Sequence, residues 1–119
     1  MKDLGKTGEQ FALNYLLQKG YVFLHKNWRA GHKEIDLIVE NNDFLVFIEV
    51  KTRSNNRFGQ PEEAVNPKKQ KKLLAAARVY CRKMKIKKEI RFDIVAITFV
   101  KPDTKINHIE NALFPQYYI

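Results

Sequence analysis

The sequence predicts an α/β domain, and three observations carry that prediction. Helical periodicity marks two stretches, 7–19 and 66–84. Apolar runs of strand length lie between and after them, at 21–28, 34–40, 45–51 and 91–100, with a shorter one at 105–110. Turn-forming residues punctuate the joins, most clearly Gly20 and Asn41-Asn42-Asp43. The 119 residues, 45% hydrophobic and 12% aromatic, suit one globular domain around a single core, with no repeat, low-complexity tract or internal linker.

The elements follow in order. In 7–19, Thr7 is placed to cap the helix, Ala12, Leu13, Leu16 and Leu17 form its apolar stripe, and Gly20 stops it. Glu9 then falls in the first turn, where the helix dipole favours a carboxylate, and on these grounds alone a plain first-turn role is the default reading. The strand at 21–28 sets Val22 and Leu24 on one side and Tyr21 and Phe23 on the other, with Trp28 as a core or edge anchor. Asn27, Arg29 and Gly31 mark a bend. The runs 34–40 and 45–51 flank a turn and read as a hairpin buried inside the domain. A polar stretch at 54–61 has the composition of a mobile loop over a site. Asn66-Pro67 opens the second helix, which buries Gln70, Leu73, Leu74, Ala77, Tyr80, Cys81 and Met84; Gln70 either caps the helix or reaches the hairpin. In 91–100 the alternation is clean, and Asp93 is expected to pair with a basic neighbour. The aromatic tail 114–119 is expected on the core or on a partner chain.

The hairpin holds the chemistry. Its apolar strands are interrupted by Asp36, Glu49 and Lys51, and burying such groups costs several kcal/mol or more unless they are paired or bind a metal. Glu49 and Lys51 are two apart and share a face. With 41–44 as the loop, Asp36 lies across from Glu49, Cβ atoms about 5 Å apart, close enough for both carboxylates to hold one hard cation. The same register sets Glu34 opposite Lys51.

Charge narrows the partner. The net charge is +9, with pI ≈ 9.7. Residues 51–88 hold thirteen Lys or Arg against two acids, leaving the rest nearly neutral. A basic surface beside an acidic cluster suits a polyanion, with Arg53, Arg57, Lys68, Lys69, Lys71 and Lys72 as candidate phosphate contacts. The basic helix has no wide aromatic face to enter a membrane, and no apolar run approaches the roughly 20 residues that span one. One cysteine, Cys81, excludes an internal disulfide and a multi-cysteine zinc site, and His25, His32 and His108 lack metal-ligand spacing. No signal peptide is read at the N-terminus, and a cytoplasmic protein is expected.

Two carboxylates and a lysine converging in a basic protein suit phosphodiester hydrolysis. Asp36 and Glu49 would hold one or two Mg²⁺, Mn²⁺ substituting, and Lys51 would orient the attacking water or stabilise charge on the phosphorane-like transition state. Glu9 would complete the metal shell if the first helix packs its N-terminal end on the hairpin.

The pattern Asp36…Glu49-x-Lys51 resembles the core motif of the PD-(D/E)xK, or restriction-endonuclease-like, nuclease superfamily. Its setting is more specific: Gly8-Glu9, Glu34-Ile35-Asp36-Leu37-Ile38, Val46 through Arg53, Gly59, Glu63-Ala64-Val65, Lys68 to Leu73, Tyr80, and Arg91 through Ala96. Together these resemble the bacterial YraN-type family over nearly the whole chain, a family similar in turn to archaeal Holliday-junction resolvases. The resemblance implies a single endonuclease-like domain over 1–119, a three-layer fold with a central mixed sheet flanked by helices, and a Mg²⁺ nuclease site acting on branched or otherwise structured DNA, as a homodimer. Carried over by motif, its residues are Glu9, Asp36, Glu49 and Lys51, with Gln70 secondary. Where many relatives have glycine before Glu-Ile-Asp, this chain has Lys33. A nucleic-acid-binding protein that keeps the nuclease fold without turnover is the alternative; a basic RNA- or ribosome-associated domain leaves the buried acids unexplained.

Overall fold

The structure is a computed structural model that describes residues 4–54, 67–100 and 103–112. In chain order it contains α1 (Leu4–Gln18), β1 (Val22–Ala30), β2 (Lys33–Glu40), β3 (Phe44–Arg53), α2 (Pro67–Lys83), β4 (Glu89–Val100) and β5 (Asp103–Ile109). The strands form one mixed sheet in the order β1-β2-β3-β4-β5. All neighbours are antiparallel except β3 and β4, which run parallel because α2 lies between them as a crossover.

The helices cover opposite faces of the sheet. On one, Ala12 and Leu16 of α1 pack with Tyr21, Leu37, Val39, Val46, Ile48, Val95 and Ile97. On the other, Leu74, Ala76, Ala77 and Tyr80 of α2 pack with Ile35, Ile38, Leu45, Phe47 and Phe92. Alternate residues of β3 therefore feed alternate cores, which is why Phe44 to Ile48 reads as a continuous apolar run. The outcome is the three-layer α/β architecture the sequence implies. Among the described residues, no helix is long and apolar enough to cross a membrane.

Several boundaries differ from the sequence reading. Helix α1 begins at Leu4, so Thr7 lies inside it and Glu9 falls beyond the first turn, which holds no acid. The helix dipole therefore does not account for Glu9. At the other end Tyr21 N–H donates to Leu16 O and Gly20 N–H to Leu17 O, with Gly20 at φ 97°: the chain reverses through a left-handed residue that only glycine adopts freely. Helix α2 closes in the same way through Ile86 and Lys85, so Met84 lies past its end and is exposed rather than buried. The expected bend near residue 30 is a hairpin, Ala30 pairing with Lys33 across Gly31-His32. In β1 an irregularity between Phe23 and His25 turns Leu24 to the α2-side core while Val22 and Phe23 stay exposed. The Asn66 cap, the 55–61 part of the polar loop, Arg57, Gly59, 63–65 and the tail 114–119 lie outside the described residues.

Candidate active site

The hairpin register is the expected one. Glu40 faces Leu45, Val39 faces Val46, Ile38 faces Phe47 and Leu37 faces Ile48. There the ladder ends, one pair short of Asp36 and Glu49. Beyond it β2 continues against β1 and β3 against β4, so the two central strands fork. Asp36 stands at the fork, and its Oδ2 accepts a hydrogen bond from the Val50 backbone N–H at 2.8 Å. A side-chain carboxylate thus satisfies a β3 donor that a continuing ladder would have used. Ile35 packs with the α2-side core although Leu37 and Val39 pack on the α1 side, so strict alternation lapses at Asp36. Glu34 pairs with Arg29 across β1 at 2.9 Å, not with Lys51.

Glu49 and Lys51 share a face of β3, as their spacing requires. Lys51 Nζ lies 3.2 Å from Glu49 Oε1, with the two side chains only 16% and 9% exposed. A third partner comes from α2: Lys69 Nζ reaches the same Glu49 oxygen at 2.6 Å. Lys69, read from sequence as a phosphate contact on the outer surface, is half-buried and turned onto this carboxylate. A signal for it was present, since Lys68 and Lys69 open α2 with no acid in the first turn, against the helix dipole. Gln70, the next residue, is buried on the helix face it shares with Leu74.

Glu9 reaches the fork from α1. Gly8 lies so close to β3 that a Cβ there would fall 2.2 Å from Thr52 Oγ1. This approach seats the N-terminal end of α1 on the strand that carries Glu49 and Lys51. Glu9 Oε1 is buried and accepts no hydrogen bond from the described residues.

The electrostatics describe a site short of positive charge at one end. Burial, then the charge of Glu49, pushes the Asp36 carboxyl up from 3.8 to about 7, Glu9 adding to the effect and the Val50 N–H opposing it. Lys51 is pushed below the ordinary lysine range by burial and by the hydrogen bond from Lys69, against the pull of Glu49. For Lys69 burial works against the charge, but hydrogen bonds to Glu49 and Lys51 hold it above its ordinary range. Asp36, with a carboxyl raised into the neutral range, and Glu9, with an orphaned buried oxygen, are hard donors of the kind Mg²⁺ or Mn²⁺ takes, so the donor set fits such an ion. The shell is not assembled around one point: among the described residues, no three His, Cys, Asp or Glu side chains are grouped closely enough to hold a metal.

Of the remaining candidates, Lys68, Lys71 and Lys72 are exposed on α2, and Arg53 is partly buried at the end of β3. A second buried network extends beyond the single basic partner that the sequence leads one to expect for Asp93. Arg91 grips Asp93 through Nε at 2.9 Å and Nη2 at 2.8 Å; His108 Nε2 lies 2.8 Å from Asp93, and the Asn111 N–H donates at 2.9 Å. Burial alone would raise the Asp93 carboxyl, but hydrogen bonds from His108, Arg91 and Asn111 hold it below the usual range. This is the basic pairing expected of Asp93, extended by His108, and it ties β5 to the sheet.

The Uncharacterised protein family UPF0102 matches residues 8–97, a span that takes in Glu9, Asp36, Glu49, Lys51 and Lys69. A UPF0102 protein of Thermodesulfovibrio yellowstonii is 48% identical over 112 residues, covering 94% of this chain and 96% of its own length. A UPF0102 protein of Phocaeicola vulgatus is 44% identical over 113 residues, covering 95% and 93%. One of Bacteroides thetaiotaomicron is 42% identical over 116 residues, covering 98% and 96%.

Proposed function

We propose that this chain, which belongs to the UPF0102 family, is a Mg²⁺-dependent endonuclease that hydrolyses phosphodiester bonds in DNA, structured or branched DNA being the substrate class. The observation that carries this reading is the meeting of Asp36, Glu49 and Lys51 where β2 and β3 part, half-buried or buried and beside a strongly basic helix. Burial, and then the neighbouring Glu49, raises the Asp36 carboxyl to about 7, and carboxyls perturbed in this way cluster at functional sites.

Asp36, Glu49 and Glu9 are the residues that would hold the cation. When bound, it lowers the pKa of water and offsets negative charge building on the phosphoryl oxygens. Asp36 is oriented for this by the Val50 N–H, which fixes one of its oxygens. Lys51, anchored on Glu49, presents an amine beside the carboxylate, placed to hold the attacking water or to donate to a phosphate oxygen. The exposed lysines of α2 hold the backbone of the substrate.

The second reading, a nucleic-acid-binding protein without turnover, is favoured by one feature: Glu49 is already engaged by two ammonium groups. A cleavage panel of linear, flapped and four-way DNA with Mg²⁺ or Mn²⁺ decides between them. On the enzyme reading at least one substrate is cut, and D36N and K51A abolish cutting while leaving DNA affinity and its salt dependence nearly unchanged. If the wild type binds every substrate and cuts none, the binding reading holds.

A further inference from the structure

Beside the candidate site, a groove of about 150 Å³ opens between the β1–β2 turn and the start of α2, lined by His32, Lys33, Glu34, Lys69, Lys72 and Leu73. Three lysines and a histidine face it. Among the described residues its one acid, Glu34, is paired with Arg29 at 2.9 Å. Lys69 belongs to both places at once, since it forms part of the groove wall while its ammonium sits 2.6 Å from Glu49. A lysine is a point charge on a flexible four-carbon stem, able to change anionic partner by side-chain rotation alone.

The geometry points to an exchange: Lys69 neutralises Glu49 in the free protein and passes to a backbone phosphate when a nucleic-acid strand lies in the groove, leaving the Glu49 carboxylate to Lys51 and open to a cation. Lys69 is then a positioning residue that makes the acidic site available only when substrate is present. The exchange rests on the nucleic-acid partner proposed above but not on turnover. A phosphate is the fitting occupant because the groove offers several mobile ammonium donors and one already-paired acid, the setting in which lysines bind phosphate as point charges. Reciprocity gives the exchange a signature: if phosphate draws Lys69 from Glu49, removing the Glu49 charge must strengthen phosphate binding through Lys69.

The test needs no metal and no cleavage. Affinity for a short fluorescein-labelled single DNA strand is read by anisotropy in EDTA for wild type, E49Q, K69A and E49Q/K69A. E49Q is expected to tighten binding about fivefold when Lys69 is present and less than about twofold in the K69A background, with K69R restoring the coupling. Equal gains in both backgrounds overturn the exchange, because Glu49 then acts on the phosphate by simple repulsion. A second arm uses exposed positions that leave the core intact. K72E, in the groove wall, is expected to weaken binding about tenfold at low salt, whereas K105E, on the far edge strand, changes it less than about twofold. Equal weakening by K72E and K105E overturns the groove. A protein that cuts no DNA can still give the expected pattern, and a working nuclease can fail it.

Discussion

At the residue scale, Asp36 carries the most information. Its carboxyl sits at about 7 rather than 3.8, chiefly through burial and the neighbouring Glu49. A carboxyl raised on folding favours the folded state while it is protonated, below its unfolded value. That contribution is lost as pH rises towards 7 and stays lost above it. Asn at this position keeps an acceptor for the Val50 N–H and removes the charge. Metal-free D36N should therefore be more stable than wild type at pH 8, by on the order of a few kcal/mol, with the gap closing towards pH 4. Scanning calorimetry across that range checks it, and a D36N that melts lower at pH 8 contradicts it. Asp36, Glu49 and Lys51 were legible in the sequence because charged residues inside apolar strands are rare and their spacing sets their faces. Glu9 was harder to read, since a first-turn position would have explained it and only the earlier helix start removes that explanation. Lys69 was hidden by its own kind: among so many lysines, none announces from sequence which one turns inward.

At the element scale, the site depends on how α1 meets β3. A Cβ on residue 8 would lie 2.2 Å from Thr52 Oγ1 and 3.0 Å from its Cγ2, too close unless the Thr52 side chain or one of the two elements shifts. G8A should destabilise the protein by about 1–3 kcal/mol despite the better helix propensity of alanine, and T52A should recover part of that stability. Urea unfolding of the two single variants and the double variant measures the coupling, and additive effects would contradict the close approach. Helix α2 shows the opposite economy. Two lysines in its first turn oppose the macrodipole, and one of them is compensated by Glu49 on the neighbouring strand. The first hairpin was misread as a bend because Asn27, Arg29 and Gly31 all suggest a turn. The strand runs through Asn27 at a positive φ of 51°, a conformation asparagine tolerates, and reverses only at Gly31-His32.

At the scale of the whole molecule, the order of elements specified the class well. A strand pair, a helical crossover and a further strand leave few topologies, and a parallel partner for β3 is the natural result. What the alternation could not give was the place where β2 leaves β3, because that fork is marked by one side-chain hydrogen bond rather than by any periodic pattern. The charge distribution was legible from counting alone, and the exposed lysines of α2 put much of it on one surface. K68E/K71E should weaken DNA binding uniformly across sequences and lower the salt-dependence slope by about one for each phosphate no longer neutralised. Affinity measured over a range of salt concentrations checks this, and an unchanged slope would place the DNA elsewhere.

The measurement that bears most directly on the central claim is divalent-cation binding to the fork. Titration with Mn²⁺ in the presence of a saturating short DNA strand, followed by electron paramagnetic resonance, should show binding by wild type beyond that of the DNA alone, marked weakening in D36N and E49Q, and little change in K105E. Wild-type protein that binds no Mn²⁺, or D36N that binds it equally well, would mean that the carboxylates at the parting of β2 and β3 do not form a metal site.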